Sequence, residues 1–492
     1  MKGESKITRK NLLILAALIY TAIFLIFYPS FQTYADESLY LHGTWLLKEW
    51  KSQKVDNPLE SLVYLKHGDS FISTYPIGVP LILLPFSMIG WKAVFLSGLI
   101  LHLLGFFIFI KILKKLGYDE LFAALYLFFP SFIFFSRTVM SEIPSIVAIL
   151  AGFYFYLGDR KRDNIASGLF FGAACLFRYT NLLAFIPFLI MTSVRAIKKK
   201  QKKEKLVLMC AGFMPFALFI LWYNSVIYGG AFITGMSSAR PSLGLITIIL
   251  SKFLIATAVI YPLMLIAPFR YKNKARNEIL LATGLYMIAF SYSGVDTFHY
   301  DFAKNMIIGA RYLFPIVPLM IIAYVPFFMD ICRFFKLKYK TILYLAAIFL
   351  MIGSAGISYK QYRFTSDSKQ ISDAIYNNTE ENSLLFGNGY TLSFVNNLIS
   401  ERKGVSIKTH HTPDGIDIDY SDESRRLNYI YDNYKNHTTY LIFLSQQSVQ
   451  EFRYQNESDI IEQGKKELLE RFNYSLVYEQ QNPNQIEIYR ID

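Results

Sequence analysis

The sequence predicts a polytopic α-helical membrane protein with a small external α/β domain at its C-terminal end. Three observations carry that expectation. The 492-residue chain is 53% hydrophobic and only 18% charged, with a mean hydropathy of +0.31, where a soluble domain carries about 25% charged residues. Apolar runs of roughly 17–25 residues, the length a spanning helix needs, recur from Asn11 onward. After Tyr359 the chain turns polar, and short strand-like runs replace the long apolar ones.

The same numbers narrow the function classes. A formal net charge of +13 in a membrane chain reads as lysine and arginine gathered in cytoplasmic loops. No nucleic-acid module is recognisable, so nucleic acid is not an expected partner. Cys175, Cys210 and Cys332 lie in or beside apolar segments without a Cys-x-x-Cys, which gives neither a disulfide framework nor a zinc site. The basic start, Met1 to Lys10, leads into an apolar span with no small-residue cleavage site and reads as an uncleaved anchor.

In chain order the expected spans are 11–29, 91–113, 120–136, 143–158, 164–177, 181–194, 205–228, 245–268, 277–293, 311–330 and 340–358. Tyr75–Gly90 is apolar too, but it is short and holds three prolines and two glycines. Charge decides its place. If it does not cross, the basic loops Lys111–Lys115, Arg160–Arg162, Arg195–Lys205, Arg270–Arg276 and Arg333–Lys340 all share the side of the N-terminus; if it crosses, the first three fall outside. The positive-inside rule selects the first option and makes 75–90 a juxtamembrane or re-entrant helix. The result is about eleven spans by the ~20-residue rule, in a multi-pass protein of the cell membrane with its N-terminus cytoplasmic and its C-terminal domain external.

Under that topology Asp36, Glu37, His42, Arg137, Glu142, Arg178, Asp296, His299, Asp301 and Arg311 come out on the external face. No internal repeat is evident, which disfavours inverted-repeat transporters. Residues 1–359 form the membrane domain, with a first external loop at 30–90, and residues 360–492 the external α/β domain. In the latter, Ser383–Gly387 and Thr439–Leu444 read as strands, Ile460–Phe472 as a helix, and Tyr474–Tyr478 with Ile486–Tyr489 as a hairpin around Asn482-Pro483-Asn484. Four Asn-x-Ser/Thr sequons, at Asn377, Asn436, Asn456 and Asn473, all fall in this tail.

Chemistry is concentrated in a few external turns. Tyr34-Ala35-Asp36-Glu37-Ser38-Leu39-Tyr40 puts two adjacent carboxylates at a membrane exit, where acids are costly unless solvated or functional. A carboxylate there can take the proton of a hydroxyl nucleophile, and its neighbour can orient the acceptor or hold a cation; a solvated acidic loop is the plain alternative. In Ser136-Arg137-Thr138-Val139-Met140-Ser141-Glu142-Ile143-Pro144-Ser145, Glu142 precedes the proline that opens the next helix and reads as a cap, with Arg137 as its salt-bridge partner or as a bidentate phosphate donor. Arg178, in Phe177-Arg178-Tyr179-Thr180-Asn181, either snorkels or neutralises a lipid phosphate. Arg311 opens a span beside Tyr312 and reads as an interfacial anchor as readily as a ligand contact. His42 and His299 have no convincing metal-ligand spacing, and Asp417-Ile418-Asp419 reads as a solvated turn.

Taken together and in order, four of these features resemble the GT-C membrane glycosyltransferases, in the branch of the protein O-mannosyltransferases and the lipid A aminoarabinose transferase. They are the acidic pair with flanking tyrosines (Tyr34 to Tyr40), the Tyr-Pro-x-Gly-x-Pro-Leu segment (Tyr75 to Leu81), the Met-Ser-Glu-x-Pro turn (Met140 to Pro144) and the Arg-Tyr-Leu-x-Pro helix start (Arg311 to Pro315). The resemblance implies an inverting transfer of a monosaccharide, hexose or pentose, from a polyprenyl-phosphate donor to a hydroxyl of a glycolipid, glycan or protein at the external membrane face. By position, Asp36 would be the base with Glu37 beside it. Arg178 or Arg311 would meet the donor phosphate, and Glu142, Arg137, Tyr75 and His42 would line the substrate site. The first loop lacks the Asp-x-Asp of metal-dependent oligosaccharyltransferases, so no resident metal is implied and a divalent cation is left open. A transporter or flippase for a lipid-linked or anionic solute is the rival reading.

Overall fold

The computed structural model describes residues 4–33, 35–55, 64–67, 70–199, 203–234, 247–252, 254–255, 266–271, 275–292, 311–388, 394–396, 398–399, 403–407, 410–412, 415–417, 437–444, 469, 473–480 and 486–491. They fall into two units: residues 1–28, 75–86 and 93–362, and residues 29–74, 87–92 and 363–492.

The first unit is helical: α1 (Glu4–Ile26), α3 (Gly78–Ile89), α4 (Leu96–Leu116), α5 (Ala123–Leu127), α6 (Pro130–Ser136), α7 (Glu142–Tyr156), α8 (Lys161–Phe177), α9 (Leu182–Ile197) and α10 (Lys203–Tyr228) come first. Helices Arg276–Tyr292, Val317–Phe334 and Tyr339–Asn378 follow. Among the described residues, six segments are long and apolar enough to cross a membrane: Arg9–Ile26, Trp91–Leu116, Tyr179–Ile197, Lys203–Tyr228, Val317–Phe334 and Tyr339–Asn378. The 12 residues of α3 reach about 18 Å, short of the ~30 Å hydrocarbon core.

The stretch 120–136, expected as one span, is three pieces. Asp119 caps a 3₁₀ turn at Glu120–Phe122, its Oδ1 accepting from Leu121 N–H at 3.1 Å. After α5, Pro130 lacks an N–H and holds Phe129 in an extended conformation (ψ 124°), so α6 has to start afresh. The end of α4 is set by Gly117, left-handed at φ +77°, whose N–H returns to the carbonyls of Leu113 and Lys114.

Glycines bring α8 and α10 together. A Cβ on Gly168 would lie 2.0 Å from the Met209 carbonyl oxygen, and one on Gly212 would lie 2.1 Å from that of Ile165. Such close backbone approach is how helices pack where lipid tails remove the hydrophobic drive. At the end of α7 away from Glu142, the buried Glu278 accepts from Tyr156 OH (2.6 Å) and pairs with Arg195 Nη1 (2.7 Å). Lys205 Nζ donates to the Tyr156 carbonyl at 2.7 Å. These bonds join α7, α9, α10 and helix Arg276–Tyr292.

The second unit holds α2 (Ala35–Lys48), the strands β1 (Lys54–Val55), β2 (Tyr64–His67) and β3 (Ser70–Ser73) paired in the order β1-β3-β2, and a five-stranded sheet. That sheet runs β5-β4-β8-β10-β9, from β4 (Leu384–Asn388), β5 (Lys403–Ile407), β8 (Thr439–Leu444), β9 (Tyr474–Gln480) and β10 (Ile486–Ile491). β4 is parallel to β5 and β8, while β8, β10 and β9 are antiparallel. A two-stranded ribbon, β6 (His410–Thr412) with β7 (Gly415–Asp417), takes in the first Asp of the Asp-x-Asp sequence.

The composition change after Tyr359 does not end a helix. The 40-residue helix Tyr339–Asn378 continues through it, and Ile371 and Ile375 pack with Leu385, Ile442, Leu444 and Ile488 in the core of the second unit. Apart from Leu469, the expected helix Ile460–Phe472 lies outside the described residues, as do most of the expected span 245–268, the turn Asn482-Pro483-Asn484 and the sequons at Asn436 and Asn456.

Candidate active site

Residues 31–42 of the second unit hold the acidic pair. Phe31 is buried in its core, stacked on Phe394 at 6.5 Å and edge-on to Trp91 at 5.9 Å. Gln32 Nε2 donates to Ser38 Oγ (2.9 Å), and Asn396 Nδ2 donates to Gln32 Oε1 (3.3 Å). The chain then enters α2 with both acids in its first turn, where carboxylates complement the exposed N–H groups. Their surroundings differ. Glu37 is fully buried, and its Oε1 accepts from Thr33 N–H at 2.6 Å, reaching back over the helix start as a cap. Asp36 stays part-exposed.

One turn on, His42 stacks on Trp45 at 5.3 Å, and Lys51 Nζ lies 4.0 Å over the same indole. Burial, and then the Lys51 charge, push the imidazole down to about 4, so it is neutral at pH 7.

In the first unit the turns before α7 and after α8 meet. Glu142, the first residue of α7, is wholly buried. Its Oε1 accepts from Arg178 Nη2 at 2.5 Å and from Arg311 Nε at 2.6 Å. Arg178 sits where α8 breaks, in an extended conformation (φ −151°, ψ 124°), and its Nε donates to Ser141 Oγ at 2.6 Å. The face of Tyr312 lies 5.7 Å from the Arg178 guanidinium and 5.9 Å from that of Arg311. Asn181 supports the turn: Nδ2 donates to Ser145 Oγ and the Ala174 carbonyl, both at 2.8 Å, and Oδ1 accepts from Tyr286 OH at 3.0 Å.

Among the described residues, two guanidiniums face one carboxylate here. Buried Arg178 Nη1 has no acceptor among the described residues. A desolvated pair of guanidiniums with a donor in hand is suited to an anion.

The sequence offered Arg137 either Glu142 or a phosphate as partner; the structure does not pair it with Glu142. Arg137 is buried at the end of α6, where Nη1 donates to the Phe24 carbonyl at 3.3 Å and the guanidinium lies 5.2 Å from the Phe24 ring. Arg178 and Arg311 take the carboxylate instead, and neither snorkels. Tyr75, half-buried, leads into α3, whose Gly78 is so close to the end of α8 that a Cβ would meet the Leu176 carbonyl oxygen at 2.3 Å. Asp296, His299 and Asp301 lie outside the described residues. No three of His, Cys, Asp and Glu come together as metal ligands among the described residues. Ser141, Asn181, Tyr286 and Tyr312 were not singled out from sequence. Three of them lie inside the quoted motifs, whereas Tyr286, in mid-helix, carried no signal.

Neither family models nor curated proteins give a match to the sequence. Solved structures do. Crystal structures of ArnT from Cupriavidus metallidurans align over 97% of this chain and 98% of that protein. The one bound to undecaprenyl phosphate does so at TM-score 0.62 and 10% identity, the apo one at 0.63 and 11%. The chain has the ArnT fold. ArnT is the lipid A aminoarabinose transferase and has the GT-C fold, so the architecture implied by the four motifs is the one observed.

Proposed function

We propose that this chain is an inverting glycosyltransferase that uses a polyprenyl-phosphate-linked monosaccharide as donor at the external face of the cell membrane. The observation that carries the proposal is the pairing of Arg178 and Arg311 on Glu142, a desolvated cluster in which two guanidiniums share one carboxylate, in the fold of a protein whose crystal structure is bound to undecaprenyl phosphate. Arg178 and Arg311 take the donor phosphate, with Glu142 fixing both guanidiniums. Asp36 takes the proton of an acceptor hydroxyl on a glycolipid, glycan or protein. The hydroxyl oxygen bonds to the anomeric carbon as that carbon's bond to the phosphate oxygen breaks. The electron pair leaves with the polyprenyl phosphate, where arginine charge stabilises it. Capped over the helix start, Glu37 orients the turn that presents Asp36. The N-terminus is cytoplasmic and the C-terminal sheet domain external, as the distribution of basic loops supports.

The test is transfer from radiolabelled polyprenyl-phosphate sugars by purified protein in liposomes, comparing wild type with Asp36→Asn and Arg311→Ala. Loss of transfer in Asp36→Asn with donor binding retained, and loss of donor binding in Arg311→Ala, is the expected pattern. Donor that crosses the bilayer without being consumed would replace the transferase with a flippase.

A further inference from the structure

At the end of α7 far from Glu142 lies a cavity of about 650 Å³, lined by Lys115, Asp159, Arg160, Arg162 and Asp163 among others. Its volume is in the range of small-molecule sites, and the transferase reading does not use it. Two features of the neighbouring helices bear on what fills it. On α4, Ile100, Leu104 and Phe107 are 52%, 46% and 48% exposed. At helical spacing this stripe runs on through Lys111 to Lys115. On α8, Ile165 and Leu169 are each 37% exposed, and the same face begins at Arg162. Two lipid-facing apolar stripes therefore end at cations on the rim of one cavity. Lys115 Nζ is fixed there by the Tyr154 carbonyl at 3.0 Å and lies 4.7 Å from the Tyr154 ring.

We propose that this cavity binds the headgroup of an aminophospholipid, a phosphate diester next to a primary ammonium, as in phosphatidylethanolamine. Lys115, Arg160 and Arg162 receive the phosphate, Asp159 and Asp163 receive the ammonium, and the acyl chains lie along the stripes of α4 and α8. The two carboxylates decide the class. A headgroup with negative charge alone meets Asp159 and Asp163 unfavourably, and a choline group has no N–H to donate to them. The site lies on the face that carries the basic loops, away from the Glu142 cluster, so it is independent of the transfer chemistry.

The experiment is native mass spectrometry of delipidated full-length protein given an equimolar mixture of dioleoyl-phosphatidylethanolamine, -phosphatidylglycerol and -phosphatidylcholine. The wild type is expected to retain the ethanolamine lipid at least about fivefold over either other lipid, a difference of about 1 kcal/mol. Lys115→Ala with Arg162→Ala loses that retention. Asp159→Asn with Asp163→Asn, which keeps the cations, turns the preference to phosphatidylglycerol. Retention of all three lipids within about twofold by the wild type, a wild-type preference for phosphatidylglycerol, or an unchanged preference in the Asp→Asn pair would each overturn the proposal. The Asp→Asn arm reads the headgroup choice even where the alanine pair proves unstable.

Discussion

Arg178 and Arg311 donate to the same oxygen, Oε1 of Glu142, at 2.5 and 2.6 Å. A carboxylate shared in this way fixes two guanidiniums from distant parts of the chain in one orientation. The arrangement has consequences for substitutions around it.

Arg178 uses two edges of its guanidinium, Nε toward Ser141 Oγ and Nη2 toward Glu142. Lysine offers a point charge and no fork. Arg178→Lys is therefore expected to keep the net charge but lower kcat/KM for sugar transfer about 10–100-fold, roughly 1.4–2.7 kcal/mol of transition-state stabilisation. Steady-state transfer kinetics check this; wild-type kcat/KM in Arg178→Lys would mean that charge alone suffices.

Gly78 places α3 against the carbonyl of Leu176, two residues before Arg178, with a virtual Cβ at 2.3 Å. Because the obstacle is backbone, a methyl group cannot be accommodated by a side-chain rotation. Gly78→Ala should cost about 1–3 kcal/mol, as overpacking does, and raise the donor KM by displacing the turn that carries Arg178. Gly284 has nothing within 4 Å of its Cβ position, so Gly284→Ala serves as the control that leaves both thermal midpoint and KM near wild type.

The residues of the arginine cluster were legible in sequence, but their partnership was not. Arg137 is the nearest arginine to Glu142 along the chain, and adjacency suggested the pair. The break at Pro130 and the turn after α6 instead send Arg137 toward Phe24, and the end of α8 supplies Arg178. Long-range helix packing decides this, and one-dimensional patterns do not record it. Tyr286 is invisible for a related reason: a tyrosine in an apolar helix reads as core until its hydroxyl is found on Asn181. The helix through Asn378 shows a third limit. Hydropathy marks where an expected span stops, whereas Lys, Gln, Arg and Ser after Tyr359 sustain a helix well enough to carry Ile371 and Ile375 into the core of the second unit.

His42 predicts a pH dependence. Its folded value near 4 lies below the unfolded value of 6.5, so between the two the unfolded chain binds more protons than the folded one. Stability of α2 is then intact above about pH 6.5, falls as pH drops toward 4, and levels off below that. Protection of residues 35–48 against hydrogen exchange, after correction for the intrinsic pH dependence of amide exchange, should fall between pH 7 and pH 5. His42→Asn should flatten that slope; an unchanged slope would assign it to another group.

Glu278 tests whether the far end of α7 is held independently of the site. Its carboxylate is buried and joins Tyr156 and Arg195. Breaking a buried ion pair costs about 3–5 kcal/mol when the surviving charge is trapped. Here the Arg195 side chain is 26% exposed and can turn to water, so Glu278→Ala is expected at or below the bottom of that range. Glu278→Gln, which keeps an acceptor for Tyr156 OH, should cost less. Adding Arg195→Ala to Glu278→Ala should cost less than the sum of the two single changes, because the pair is already broken. The 15 residues of α7 put about 22 Å between its two ends, so kcat for sugar transfer at a temperature below all the unfolding transitions should stay within about twofold of wild type. Strict additivity of the two single changes in thermal unfolding would show that the contact between Glu278 and Arg195 contributes nothing to holding these helices together.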